Sequence, residues 1–194
     1  MRDCTGIVSR MERLACFDEA AGTRLLEPVA KVHELNPLPG APSVARIAMS
    51  ENQREQDDFG FRVNVQSEGP RDGGYLVISA PAIAAVAPRP YLAISCIQNI
   101  SRLQLITARP IEGNRVSLQL RTEHRATGAL PWQVLENGQL LDAGRGLHAI
   151  EQIKQLIGAR RIHIGSDHPA LDGLTFDATG LDPLIEQARK ACRW

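Results

Sequence analysis

A chain of 194 residues, 43% hydrophobic and 23% charged, has the make-up of a globular domain, which excludes a disordered protein. Lys+Arg and Asp+Glu both total 22, so a net charge of zero excludes broad electrostatic capture of nucleic acid or anionic lipid. With 2 Trp, 2 Tyr and 4 Phe the chain is too poor in rings for a base-stacking surface, and it holds no apolar run of about 18 residues to span a membrane.

Residues 1–23 read as a small helical hairpin. Ser9-Arg10-Met11-Glu12 has the S-x-x-E pattern of a capping box, and a helix is expected to run from it to about Gly22. On one continuous helix Cys4 and Cys16 would lie about 18 Å apart, far beyond disulfide reach. A bond between them requires the chain to reverse near Ser9, and the capping box supplies that turn. Residues 24–57 read as an extended linker. Pro28, Pro37, Pro39 and Pro42 punctuate it, and residues 51–58 are wholly polar.

Residues 58–194 read as an α+β domain, a mostly antiparallel sheet or sandwich carrying two packed helices. Phe59, Phe61, Val63 and Val65 alternate with polar residues or glycine, the period of a half-buried strand. After a turn at 69–74, strands are expected at 75–79, 91–98, 102–107 and 115–121. Asn137-Gly138 is a strong tight-turn signal between strands at 132–136 and 139–142. Leu147, Ile150, Ile153 and Ile157 form a helical stripe stopped at Gly158. Strands follow at 160–164 and 174–178. Asp182-Pro183 then reads as an N-cap with proline at the first helical position, Leu184, Ile185 and Ala188 facing inward.

Four cysteines, Cys4, Cys16, Cys96 and Cys192, allow three pairings, and the absence of a C-x-x-C disfavours zinc ribbons and thioredoxin-type redox motifs. Composition alone leaves open whether they are bonded or are buried thiols in a reducing compartment. The polar opening Met1-Arg2-Asp3-Cys4 is no secretory signal, so Met1 is either a natural start or one placed where a signal was removed.

Cys4 with Arg13-Leu14-Ala15-Cys16-Phe17-Asp18 is similar to the N-terminal signature of several bacterial envelope proteins, which often have Tyr at the position of Phe17. More specific segments follow: Ser95-Cys96-Ile97-Gln98-Asn99-Ile100-Ser101, residues 132–146, Gly165-Ser166-Asp167-His168-Pro169, Phe176-Asp177-Ala178-Thr179-Gly180-Leu181 and Ala191-Cys192-Arg193-Trp194. Together they resemble the VasI/TagO family of accessory proteins associated with bacterial type VI secretion. That resemblance implies export to the periplasm through a cleaved signal and a role supporting the secretion machine, and it carries no catalytic or ligand residue to this chain. The expected pairing is Cys4–Cys16, stapling the hairpin, and Cys96–Cys192, tying the last helix to a central strand.

Candidate chemistry divides into several readings. His163, Asp167 and His168 carry metal-ligand types, but their spacing is not helical and Gly165-Ser166 and Pro169 make a polar turn. Ser166, Asp167 and His168 have the residue types of a hydrolase triad without a G-x-S-x-G elbow. Cys96 is a nucleophile candidate, with His124, His148 or His163 as a distant base, against its expected disulfide. Gly144-Arg145-Gly146 precedes a helix and could cradle an anion, yet it reads first as a hairpin-to-helix loop. Arg102, Arg109, Arg115, Arg121 and Arg125 concentrate positive charge on neighbouring strands. The favoured expectation is a non-enzymatic periplasmic module without cofactor, whose arginine face binds a component of the secretion apparatus or envelope. The alternative is an envelope hydrolase, directed at peptidoglycan or metal-dependent, acting through the 166–168 loop.

Overall fold

The computed structural model describes residues 4–5, 13, 16–17, 20, 35–66, 75–85 and 87–194. It divides into two units, Met1–Val32 and His33–Trp194. In the first, Cys4 and Cys16 are joined by a disulfide, with Cα atoms 5.7 Å apart. The capping box, most of the expected helix and the turn between them lie outside the described residues, as does the turn at 69–74.

In the second unit, β2 (Tyr75–Pro81) is buried along its whole length, and β3 (Tyr91–Ile97) nearly so. Neither alternates polar with apolar, because both faces of the sheet are covered there. One face meets α2 (Leu147–Lys154) and α3 (Leu181–Cys192); the other meets α1 (Pro42–Glu51). By contrast β5 (Arg115–Arg121) alternates strictly: Val116, Leu118 and Leu120 are buried in the first face, while Arg115 and Arg121 stand exposed on the second. Only one side of that strand is covered.

The remaining strands are β1 (Arg62–Gln66), β4 (Ile100–Ile106), β6 (Leu130–Leu135), β7 (Leu140–Arg145), β8 (Arg161–Ser166) and β9 (Thr175–Asp177). All nine form one antiparallel sheet in the order β1-β2-β3-β4-β7-β6-β5-β8-β9. After β4 the chain skips two strand positions to β5, and the β5-β6-β7 meander returns to pair with β4. That crossover fixes the site: it sets the arginines of β5 on the same face as Arg102 of β4. The fold is α+β as expected, with three α-helices among the described residues of this unit.

Helix α1 corrects the linker reading of 24–57. Val44, Ile47, Ala48 and Glu51 recur at helical spacing and are buried on the second face. The helix lacks a side-chain N-cap, since Ala41 holds that place. Its first amides are instead capped by Glu136, in the β6–β7 turn, whose carboxylate accepts from Ser43 N–H at 3.0 and 3.1 Å and from Val44 N–H at 3.0 Å. Buried Gln139 holds the preceding segment by accepting Leu38 N–H at 2.7 Å and donating to Asn36 and Ala108 carbonyls. Asn137-Gly138 does lie in the turn, but the connection spans residues 136–139, longer than a two-residue hairpin. Gly138 has φ +88°, and a Cβ there would sit 2.7 Å from the Ile111 carbonyl oxygen.

At its far end α1 is anchored by charge. The Arg54 side chain is 1% exposed, and its guanidinium donates to the Glu51 carboxylate, to Ser79 O at 2.9 Å and to Gly60 O at 2.8 Å. The Ser79 hydroxyl donates to the same Glu51 carboxylate. Beside it, burial and the Glu51 charge push the Tyr91 phenol well above its ordinary pKa.

On the first face Leu181, Ile185, Ala188 and Cys192 form the buried stripe of α3, and Cys192 bonds Cys96 of β3 with Cα atoms 5.7 Å apart. The N-cap of α3 is Gly180 rather than Asp182, and Asp182 accepts Gly158 N–H at 2.9 Å, joining the end of the α2 region to the start of α3. In α2 the buried residues are Ala149, Ile150, Gln152 and Ile153, while Leu147 is 74% exposed.

Candidate functional site

The second face of the sheet is half covered. Beneath α1 lie Val77, Tyr91, Ala93, Ile106 and Leu140, a dry apolar layer. Beyond it β5, β6 and β8 turn toward solvent with Arg115, Arg121, Gln133, Arg161 and His163 exposed. Pairing register places Arg121 opposite His163 and Arg115 opposite Gln133. The Arg121 guanidinium lies over Gly165, where a Cβ would come within 3.3 Å of it. Among the described residues none of Arg102, Arg115, Arg121 and Arg161 forms an ion pair.

Arg102, Arg115 and Arg121 therefore share one face, as β4 and β5 require. Arg109 and Arg125 do not join them. Arg109 follows β4 and lines a cleft of about 500 Å³ with Pro88, Pro90, Ile111, Leu171 and Leu174. Arg125 follows β5, donates to Lys154 O at 3.4 Å and lines a separate cleft of about 580 Å³ that also holds Trp194. Alternation along a strand could locate the strand arginines; nothing in the sequence fixed the loop ones.

The 166–168 loop uses its polar groups on backbone. Ser166 Oγ donates to Ser117 O at 3.1 Å and accepts His168 N–H at 3.0 Å. Asp167 accepts Ser117 N–H at 3.2 Å, and His168 Nδ1 accepts Ala170 N–H at 3.2 Å. No hydrogen bond links the Ser166 hydroxyl to the His168 ring, so the serine-to-base contact that defines a triad is not made between them. His163 instead faces Thr175 Oγ1 at 3.0 Å. Among the described residues no three His, Cys, Asp or Glu side chains gather to hold a metal. Cys96 is bonded to Cys192, so its sulfur is not a thiolate. Gly144-Arg145-Gly146 forms a bulge beside Arg102, with Gly144 N–H bound to Asp142 at 2.7 Å and Gly146 N–H to Ser101 O at 2.9 Å.

Residues 3–194 match the family described as type VI secretion system VasI, EvfG. The chain belongs to the VasI family. Comparison with curated proteins and with solved structures returned no match. As a VasI-family member it is a type VI secretion system-associated protein, and no helix among its described residues is long and apolar enough to cross a membrane.

In this VasI-family chain the arginines not expected at this face are Arg145, read only as part of the Gly144-Arg145-Gly146 loop, Arg161 and Arg46. Arg161 follows the same alternation as Arg121 and was legible in that signal. Arg145 reaches the second face only because of the bulge between β4 and β7, and Arg46 belongs to the helix read as linker. Its guanidinium stacks over the Tyr75 ring, 4.9 Å from the centroid.

Proposed function

We propose that the chain acts in the periplasm as a non-enzymatic accessory protein, binding an acidic component of the secretion apparatus or envelope through the open half of the second face. One observation carries the reading: exposed Arg115, Arg121 and Arg161 share a sheet face that none of α1, α2 and α3 covers, and they have no carboxylate partner among the described residues. Arginines of this kind serve interfaces well, because a planar guanidinium takes a carboxylate through two parallel bonds. Two disulfides support an oxidising compartment. The backbone bonds of Ser166, Asp167 and His168 support a structural role for that loop over a hydrolytic one.

The combined Ser166→Ala and His168→Ala variant separates binding from catalysis. Secretion activity in cells should stay largely intact while the protein retains its melting curve. Loss of secretion with unchanged melting, accompanied by turnover of cell-wall fragments by the parent protein, would replace this reading with the envelope hydrolase.

A further inference from the structure

Ser95, Arg102 and Arg145 occupy successive register positions across β3, β4 and β7, so their side chains stand side by side on the second face. Ser95 is 3% exposed, and its hydroxyl has no hydrogen-bond partner among the described residues. Arg102 is half-buried, and its Nε is sealed from solvent without a partner. Arg145 is exposed and makes no ion pair with a described residue. An unmade bond at a buried donor costs about 1–3 kcal/mol, and more for a charged group. Two such donors on adjacent strands mark a place built for an acceptor.

The charge there is net positive, three guanidinium groups against two carboxylates. Burial first, then the like charge of Arg145, lowers the Arg102 pKa, and Arg46 of α1 adds to this against Asp142 and Glu136. Both carboxylates are already occupied by neutral donors. Asp142 accepts Gln104 Nε2 at 2.8 Å and Gly144 N–H at 2.7 Å, while Glu136 caps α1. A guanidinium keeps its proton in a protein. Neighbouring guanidinium groups without a direct counter-ion therefore favour an anion from outside.

We propose that Arg102, Arg145 and Ser95 form a binding site for a phosphoryl group. Two guanidinium forks match its double negative charge, and donors on three strands match three oxygens of a tetrahedron better than the two of a flat carboxylate. The site goes beyond the partner surface above, since it takes a small anion and uses neither Arg115 nor Arg121. The phosphoryl group is either a free ion or carried on a lipid headgroup.

The test is titration of the full chain with inorganic phosphate, followed by calorimetry and thermal unfolding, against sodium chloride at equal ionic strength to remove screening. Phosphate alone should raise the melting temperature saturably, as a ligand of the native state does. Arg145→Gln, at an exposed position that leaves folding intact, should weaken phosphate binding by about tenfold or more. Arg115→Glu with Arg121→Glu should leave it within about twofold, which keeps this site separate from the partner surface. Retention on phosphatidic acid vesicles but not phosphatidylcholine vesicles, competed by phosphate, supports the site with a lipid source; phosphate binding without retention supports it with a free ion. No saturable phosphate effect, or undiminished affinity in Arg145→Gln, overturns the assignment.

Discussion

Replacing Arg54 by Met keeps most of the buried stem and removes the charge that Glu51 faces. Glu51 is 2% exposed, so its carboxylate would be left in the interior with the Ser79 hydroxyl as its remaining side-chain donor. The carbonyls of Gly60 and Ser79 also lose the guanidinium that serves them. Removing one member of a buried pair costs about 3–5 kcal/mol, because an uncompensated charge remains. For a chain of this size each kcal/mol moves the melting temperature by about 2–4 °C, so Arg54→Met should lower it by roughly 6–20 °C. The Arg62–Asp58 pair, with Arg62 exposed and Asp58 partly so, is a contrast: Arg62→Met should cost less than about 1 kcal/mol. Pairing Arg54→Met with Glu51→Leu should recover much of the loss, since an apolar replacement of both partners removes the buried charge. The assay is thermal and urea unfolding of the single and double variants. A single variant that melts within about 2 °C of the parent, or a double whose losses simply add, would refute the reasoning.

Cys96→Ala with Cys192→Ala opens a long loop and should cost about 4–5 kcal/mol in the chain-entropy treatment, measured by urea unfolding of the variant against the parent. Glu136→Ala removes the distant cap of α1, with an expected loss of about 1–2 kcal/mol and faster amide exchange at Ser43 and Val44 than in β3. Glu123 is held below the usual glutamate range by its own backbone N–H and then by those of Arg160 and Arg161. A carboxylate with a lowered folded pKa contributes stability above its unfolded value of about 4.3, and that contribution disappears as pH falls through the folded value. Carboxyl titration by NMR should show Glu123 protonating later on acidification than free glutamate, and Glu123→Gln should remove its part of the acid dependence of stability.

The β5 arginines were legible because that strand is covered on one side only, which leaves the alternation of Val116, Leu118 and Leu120 with polar residues intact. β2 and β3 are largely apolar with a single serine each and show no alternation, and their position under helices on both faces follows from the whole sheet, not from local pattern. Helix α1 escaped because its start signal is non-local: Ala41 offers no cap, and the carboxylate that does the capping is Glu136, far along the chain. Arg145 stood out in the Gly144-Arg145-Gly146 loop, but the same non-locality hid the face it joins. Its place beside Arg102 depends on a bulge and on β7 returning to β4 after a three-strand meander. Asp182 misled for a related reason, since its oxygen goes to Gly158 and the helix begins two residues earlier than expected, at Leu181.

The most direct test of the partner surface is crosslinking capture from the periplasm of secreting cells by the parent chain and by Arg115→Glu with Arg121→Glu. Both substitutions lie at exposed ends of β5, so stability should change by no more than about 1 kcal/mol. The parent should capture a secretion or envelope component, and the reversed variant should lose most of that capture with an unchanged melting curve. Capture by the double variant at the parent's level would contradict the partner-surface assignment.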